Sequence, residues 1–308
     1  MNVRFTFSHD FKQVKLDQEQ QIHKLVSILP GMDKCKTVDT PVNTREVPRP
    51  TKADAPKTEE EKKEAERFPY LTIQGHISYL SQQSRPDIMF PVKIGSFYSS
   101  CHGTAMHRWL KRVIRYLKGT AKAGIIITAC EGPKRGIEVF SDSDHAKCPD
   151  TRRSLSGTVI TYNGNLVYWN CKLQRIVSHS SAESELMGMD FSLMRGEYIR
   201  MLLMSLCGQV QKPIKMYVDC SSAIDIGTNP VQPGRNVHVH ARYFYVRDLV
   251  EANIYEVCKI RSVDNVADIM ATYKDRPNFI RHFRRLMTSM NLIFIEGKGY
   301  HWPDSTFE

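Results

Sequence analysis

From residue 124 onward, short apolar runs alternate with polar breaks. "GIIITAC", "GIEVFSDSD", "LSGTVITYNG" and "NLVYWNCK" are rich in β-branched and aromatic residues and predict strands. Asn163-Gly164-Asn165, between the last two runs, suits a hairpin turn. The period then lengthens. A long helix is expected over about 181–207, followed by a strand over 214–219 and a short helix from Ser221. A helix near 238–252, a strand over 254–261 and a helix from Asn265 complete the pattern. A three-stranded antiparallel meander followed by alternating strands and helices predicts an α/β fold. Its centre is a five-stranded mixed sheet flanked by helices.

Upstream the pattern is helical over 68–120. "MHRWLKRVIRYLKGT" is the clearest helix. Trp109, Leu110, Val113, Ile114 and Leu117 make its apolar face, and Gly119 marks its stop. Arg108, Lys111, Arg112, Arg115 and Lys118 cover the other side. They read either as a solvated face or as a stripe that tracks phosphates. Residues 45–67, "REVPRPTKADAPKTEEEKKEAER", carry charge and proline but no apolar stripe, so they read as a linker with a short solvated helix. The expected organisation is a short unit over 1–44, a charged linker over 45–67, a helical segment over 68–128, an α/β domain over 129–276, and a helix and tail over 277–308.

Composition adds a sign. The 308 residues carry a formal charge of +10, which favours a polyanionic partner. No apolar run approaches the length of a membrane span, and "MNVRFTFSHDFKQV" lacks the core of a secretory signal. An intracellular, unsecreted protein with reduced, mostly buried thiols is expected. The eight cysteines form no C-x-x-C pair. His145 and Cys148 have a zinc-like spacing but no second pair to complete four ligands.

Four acids fall where this layout exposes them. Asp142 lies in the first strand of the domain, Glu185 in the first turns of the long helix, Asp219 at the end of the next strand, and Asp268 near the start of a late helix. Acids at the carboxyl ends of central strands sit where α/β sheets place ligands. Converging carboxylates repel unless cations lie between them, and their hard oxygens suit Mg²⁺. Two such ions about 4 Å apart stabilise the attacking and leaving oxygens of a phosphodiester. Alternatives remain at two places. Asp142 and Asp144 share a strand face, so either could be the ligand. Glu183 competes with Glu185, although Ser180 and Glu183 fit a capping box that leaves Glu185 free for the site.

The order Asp, Glu, Asp, Asp on a βββαβαβα chain resembles ribonuclease H. The surrounding words resemble the version found in copia-type retrotransposon Pol polyproteins. They are "SDSDHAKCPDTRRSLSG", "SSAESELMGM", "YVDCSSAIDIGTNPV", "HVHARYFYVRDLVEANI" and "SVDNVADIMAT". Upstream, "LVSILPGMDKCKTVDTPV", "YLTIQGHISYLSQQSRPDIMFPV" and "HRWLKRVIRYLKGT" are also similar to that family, so the likeness runs to about residue 290. The resemblance implies that 1–44 is the end of a reverse transcriptase, that 68–128 is its connection, and that 129–276 is a ribonuclease H-like domain.

It also implies that "YVDC" is not a damaged polymerase "YVDD", because Asp219 matches the third ribonuclease H acid. In the family's order the polymerase palm lies upstream, so no DNA polymerase activity is expected of this chain. Asp142, Glu185, Asp219 and Asp268 carry over as ligands of two Mg²⁺ (or Mn²⁺) ions. Arg153, Ser154 and Ser156 carry over as neighbours of the substrate backbone, with Arg112 and Arg115 as further contacts. The implied partners are an RNA/DNA hybrid and the polymerase portion of the same polyprotein, in a cytoplasmic particle or the nucleus. Departures from the family words are "VDCSSAI", "HVH" at His240 and "DHAK" at His145. None touches the four acids. A catalytically silent remnant that still binds nucleic acid is the alternative. A transposase or integrase would share the fold but lacks support from these words.

Overall fold

A computed structural model describes residues 3–43, 51, 55–130, 136–228 and 240–287. The chain divides into two compact units. One comprises Met1–Ala129 with Tyr273–Glu308, and the other Cys130–Thr272. The second is therefore inserted into the first along the chain.

The first unit combines a small antiparallel sheet with helices. Strands β1 (Arg4–Phe7), β2 (Gln13–Asp17) and β3 (Gly124–Thr128) pair in that order. Helices α1 (Glu19–Ile28), α2 (Glu59–Arg67), α3 (Tyr70–Gln83), α4 (Met89–Phe97) and α5 (Thr104–Gly119) follow the first two strands. The five apolar positions expected on α5 are all buried. Helix α2 is the solvated helix of the linker, started by a complete capping box between Thr58 and Glu61. Residues 44–50 and 52–54 of that linker lie outside the described residues.

"GIIITAC", read as a β run ahead of the α/β domain, finds its partner far back in the sequence. It forms β3, in register with β2 through Ile125↔Leu16 and Ile127↔Val14. Alternating apolar residues announce a strand but do not name its partner.

The core of this unit holds a charge. Arg85 is 0% exposed. Its guanidinium donates to both oxygens of Asp87, at 3.0 and 2.7 Å, and to the carbonyl and hydroxyl of Thr120. Tyr116 donates its hydroxyl to Asp87. "RPD" thus reads as a closed, bidentate ion pair whose neighbours satisfy its remaining valences.

The second unit is built on one mixed sheet. Its strands are β4 (Ile137–Ser143), β5 (Leu155–Tyr162), β6 (Asn165–Leu173), β7 (Ile214–Val218) and β8 (Tyr255–Lys259). Their spatial order is β6-β5-β4-β7-β8. The first three are antiparallel, and β7 and β8 run parallel to β4. The first strand of the unit is thus central, which is the ribonuclease H-like arrangement. At the β5–β6 hairpin, Asn163 and Gly164 both take positive φ, as the two central residues of a type I′ turn do.

Helix α6 (Ser181–Cys207) lies on this sheet, with α7 (Ser221–Thr228) and α8 (His240–Glu251) packed on α6. The side chain of His240 lies outside the described residues. Leu186, Met189 and Leu193 of α6 meet Val139, Ile160, Met216 and Val218 of the sheet in the core.

The late helix is shorter than expected. A 3-10 turn at Ser262–Asp264 leads into α9 (Asp268–Ala271), which ends where Thr272 turns extended. From Tyr273 the chain belongs to the first unit again, where α10 (Arg276–Met287) packs Phe279 edge-on to Tyr116 at 5.7 Å. The tail beyond 287 lies outside the described residues.

Candidate active site

Parallel pairing places the first two acids side by side. Phe140 is opposite Tyr217, so Asp142 and Asp219 sit two residues further along adjacent strands, at their carboxyl ends. Glu185 reaches the same point from the second turn of α6. Ligand atoms of Asp142, Glu185 and Asp219 all lie within 4.8 Å of one another.

Two glycines let helices close on this rung. A Cβ at Gly188 would collide with Ser143 Oγ, so the bare glycine backbone lets α6 press closely on β4. A Cβ at Gly157, the residue opposite Asp142, would stand 2.5 Å from the Ala267 carbonyl oxygen at the start of α9.

The electrostatics concentrate negative charge in a buried place. Asp142 is 6% exposed and Glu185 7%. Glu185 Oε2 is buried with no hydrogen-bond partner. Burial, and then the charges of Asp142 and Asp219, push the Glu185 carboxyl up to about 10, against a smaller opposing effect from the Ser143 backbone. Three hard oxygen donors around a partnerless buried oxygen fit a divalent cation. On Asp219, the Ser262 hydroxyl donates to the carboxylate and the Lys259 ammonium to the main-chain carbonyl.

The two sequence-level ambiguities separate by hydrogen bonding. Asp144 stands outside the three-acid group. Its carboxylate accepts from the Leu155 N–H, its carbonyl accepts from Ser184, and burial pushes its carboxyl up to about 6. It ties β4, β5 and α6 together. Glu183 accepts from the His179 N–H at 2.6 Å, while its own N–H donates to Ser180 Oγ. The box is therefore displaced by one residue on its acid side, and Glu183 is occupied.

Asp268 is buried at the start of α9, against the flank of β4 and β5, but it is not in the three-acid group among the described residues. Asn265 anchors the start of α9 to β4. This fully buried amide donates to the Ser141 carbonyl at 2.9 Å, one residue before Asp142, and accepts from the Ala267 N–H. Sequence reading passed over Asn265. An amide three residues before an acid at a helix start was the available signal.

The expected substrate contacts divide. Ser154 and Ser156 are buried and internally bonded, Ser154 to Ser178 and the Ala146 N–H, Ser156 to Ser143 and Gln174. They belong to a hydroxyl layer near the acids, and Ser156 also lines a cleft beside α6. Arg153, just before β5, is half-exposed. Arg112 donates to Thr40 Oγ1, Arg115 to the Lys36 carbonyl and Lys118 to the carbonyls of Asp33 and Cys35. The basic stripe thus holds down a segment whose carbonyls have no secondary structure to satisfy them. The thiols are less buried than expected, with only Cys171 classed as buried.

The sheet order and the acids at its carboxyl end define a ribonuclease H-type α/β domain. No protein-family model matches the chain. Curated relatives do. The chain is 28% identical over 268 residues to the retrovirus-related Pol polyprotein from transposon TNT 1-94 of Nicotiana tabacum, covering 87% of this chain and 20% of that protein. It is 29% identical over 219 residues to the Pol polyprotein from transposon RE2 of Arabidopsis thaliana, covering 70% and 15%. Over these spans the chain is similar to retrovirus-related Pol polyproteins of transposons. It spans a fifth or less of the length of these relatives. Among solved structures it overlaps LC11-RNase H1, isolated from compost, at 15% identity and a TM-score of 0.34, over 44% of this chain and 93% of that one. No helix among the described residues is long and apolar enough to cross a membrane.

Proposed function

We propose that this chain hydrolyses the RNA strand of RNA/DNA hybrids, using divalent cations, within a retrotransposon's reverse transcription machinery. The observation that carries this reading is the convergence of Asp142, Glu185 and Asp219 around a buried oxygen that has no partner. Two Mg²⁺ or Mn²⁺ ions would supply charge neutralisation and an activated water at such a centre. Asp142 and Asp219 hold the cation position from adjacent strand ends. Glu185 would close it from the second turn of α6, as a carboxylate whose charge a bound cation would offset. Asp268, delivered by Asn265, completes the rim on the β5 side. Arg153 offers its charge to the hybrid backbone. The RNA strand is the one cut, because its 2′-hydroxyls and the groove shape they impose distinguish it from DNA. The polymerase portion of the polyprotein would present the hybrid.

One observation favours a second reading, a silent domain that binds nucleic acid without cutting. Asp268 stands outside the three-acid group. The deciding experiment is Mg²⁺-dependent cleavage of a labelled hybrid, with Asp219→Asn as control. RNA-strand cutting lost in the variant supports the ribonuclease. A folded wild type that binds the hybrid and leaves it intact supports the silent domain.

A further inference from the structure

Within the inserted unit, a cleft of about 190 Å³ runs between β6 and α6, lined by Lys172, Gln174, Arg175, Phe191 and Met194 among others. It is far larger than the roughly 10–15 Å³ that one water needs. Its rim is cationic. Lys172 and Arg175 line it from the β6 side. The Lys172 ammonium lies 4.1 Å from the centre of the Phe191 ring, and the Arg195 guanidinium approaches the same ring at 5.3 Å. The acid lining it is Asp190. The wall is apolar and continues outward along α6 as Met194, Tyr198 and Met201, all about half exposed.

A third feature lies at the floor. Gln174 is only 7% exposed. Its amide nitrogen donates to Ser156 and to the Ser184 carbonyl, which fixes the orientation of the amide. Its Oε1 is then a buried acceptor with no partner.

These features ask for an anion that also carries a flat apolar group and a hydrogen-bond donor. A duplex keeps its bases stacked away from such a wall, whereas a single strand offers phosphates, bases and sugar hydroxyls together. We propose that this cleft binds a single-stranded extension of the nucleic acid adjoining the hybrid. Its phosphates lie along Lys172, Arg175 and Arg195, and a base or sugar rests on Phe191 and Met194. A base amino group or ribose hydroxyl donates toward Gln174 Oε1. The cleft communicates with the acids through the Ser156–Ser143 hydrogen bond of 2.9 Å, next to Asp142. The inference rests on the nucleic-acid partner of the proposed function but not on cleavage.

The test is fluorescence anisotropy with the full chain in EDTA, where nothing is cut. The probes are a blunt hybrid and the same hybrid with a single-stranded RNA or DNA overhang. The overhang is expected to tighten binding about tenfold, the size of one base stacked on a side chain. Arg175→Ala and Met194→Ser, both at exposed positions, should erase that difference while blunt-hybrid cleavage in Mg²⁺ stays unchanged. A gain with RNA alone supports a ribose donor, and equal gains support a base donor. The proposal is overturned if the overhang adds nothing, or if the variants weaken blunt and overhanging probes alike. An overhang preference in a chain that cuts no hybrid would sink the ribonuclease reading and leave the cleft standing.

Discussion

Each unit buries charge, and the two do so in opposite ways. In the first, Arg85 and Asp87 are both wholly buried and bonded to each other in two places, with Tyr116 and Thr120 taking what remains. In the second, Glu185 is buried beside two further acids, and one of its oxygens has no partner. The first arrangement is complete. The second leaves an oxygen open, and in the proposed function a cation would close it. Buried charge is therefore a stability device where the valences close and a binding device where they do not.

The largest expected effect breaks the closed pair. Arg85→Ala should cost about 3–5 kcal/mol, because Asp87 is left buried and uncompensated. Chemical denaturation of the full chain measures it. If the loss is small, water reaches this core and the contrast fails.

Next comes the open site. Mg²⁺ at about a hundred times its dissociation constant should stabilise the inserted unit by about 2.7 kcal/mol. Calorimetry with and without EDTA checks this. Glu185→Gln should raise the melting temperature in EDTA above neutral pH and abolish the Mg²⁺ gain. A variant that still responds to Mg²⁺ would place the ion elsewhere.

The two units should also respond to pH with opposite sign. Without metal, Glu185 and Asp144 keep protons in the folded state up to about 10 and about 6, whereas unfolded carboxyls lose them near 4. The inserted unit should lose stability as pH rises through that window. In the first unit, burial pushes the His107 imidazole down to about 4 and also lowers His102. Unfolded histidine takes up its proton near 6.5, so this unit should lose stability as pH falls from about 6.5 to 4. Hydrogen exchange read peptide by peptide in EDTA separates them. Parallel slopes would contradict the assignment.

The smallest effect sharpens the site. Asn265→Ala should cost about 1–3 kcal/mol and weaken Mn²⁺ binding measured by calorimetry, whereas Asn265→Asp should retain part of both.

Much of this was readable in the sequence, because the relevant signals are local. The β5–β6 hairpin announced itself through Asn163-Gly164, and α6 matches its expected span of Ser181–Cys207. The acids were found because strand ends and helix starts carry their own signatures. What stayed hidden depends on distant partners. Period-two alternation could not tell Asp142 from Asp144; the Leu155 N–H does so. Nothing in "RRSLSG" shows that its serines face inward, and nothing in "RYLKGT" shows that its cations are engaged by residues 33–42.

The insertion of one unit into the other has a consequence for synthesis. A ribosome completes Cys130–Thr272 before it makes α10. The later unit therefore has every residue it needs while the earlier one still lacks Phe279, Phe283 and Leu286 from its interior. The first unit to begin is the last to finish. A transcript truncated near residue 272 would release the acid-bearing domain whole and leave its neighbour with an open core.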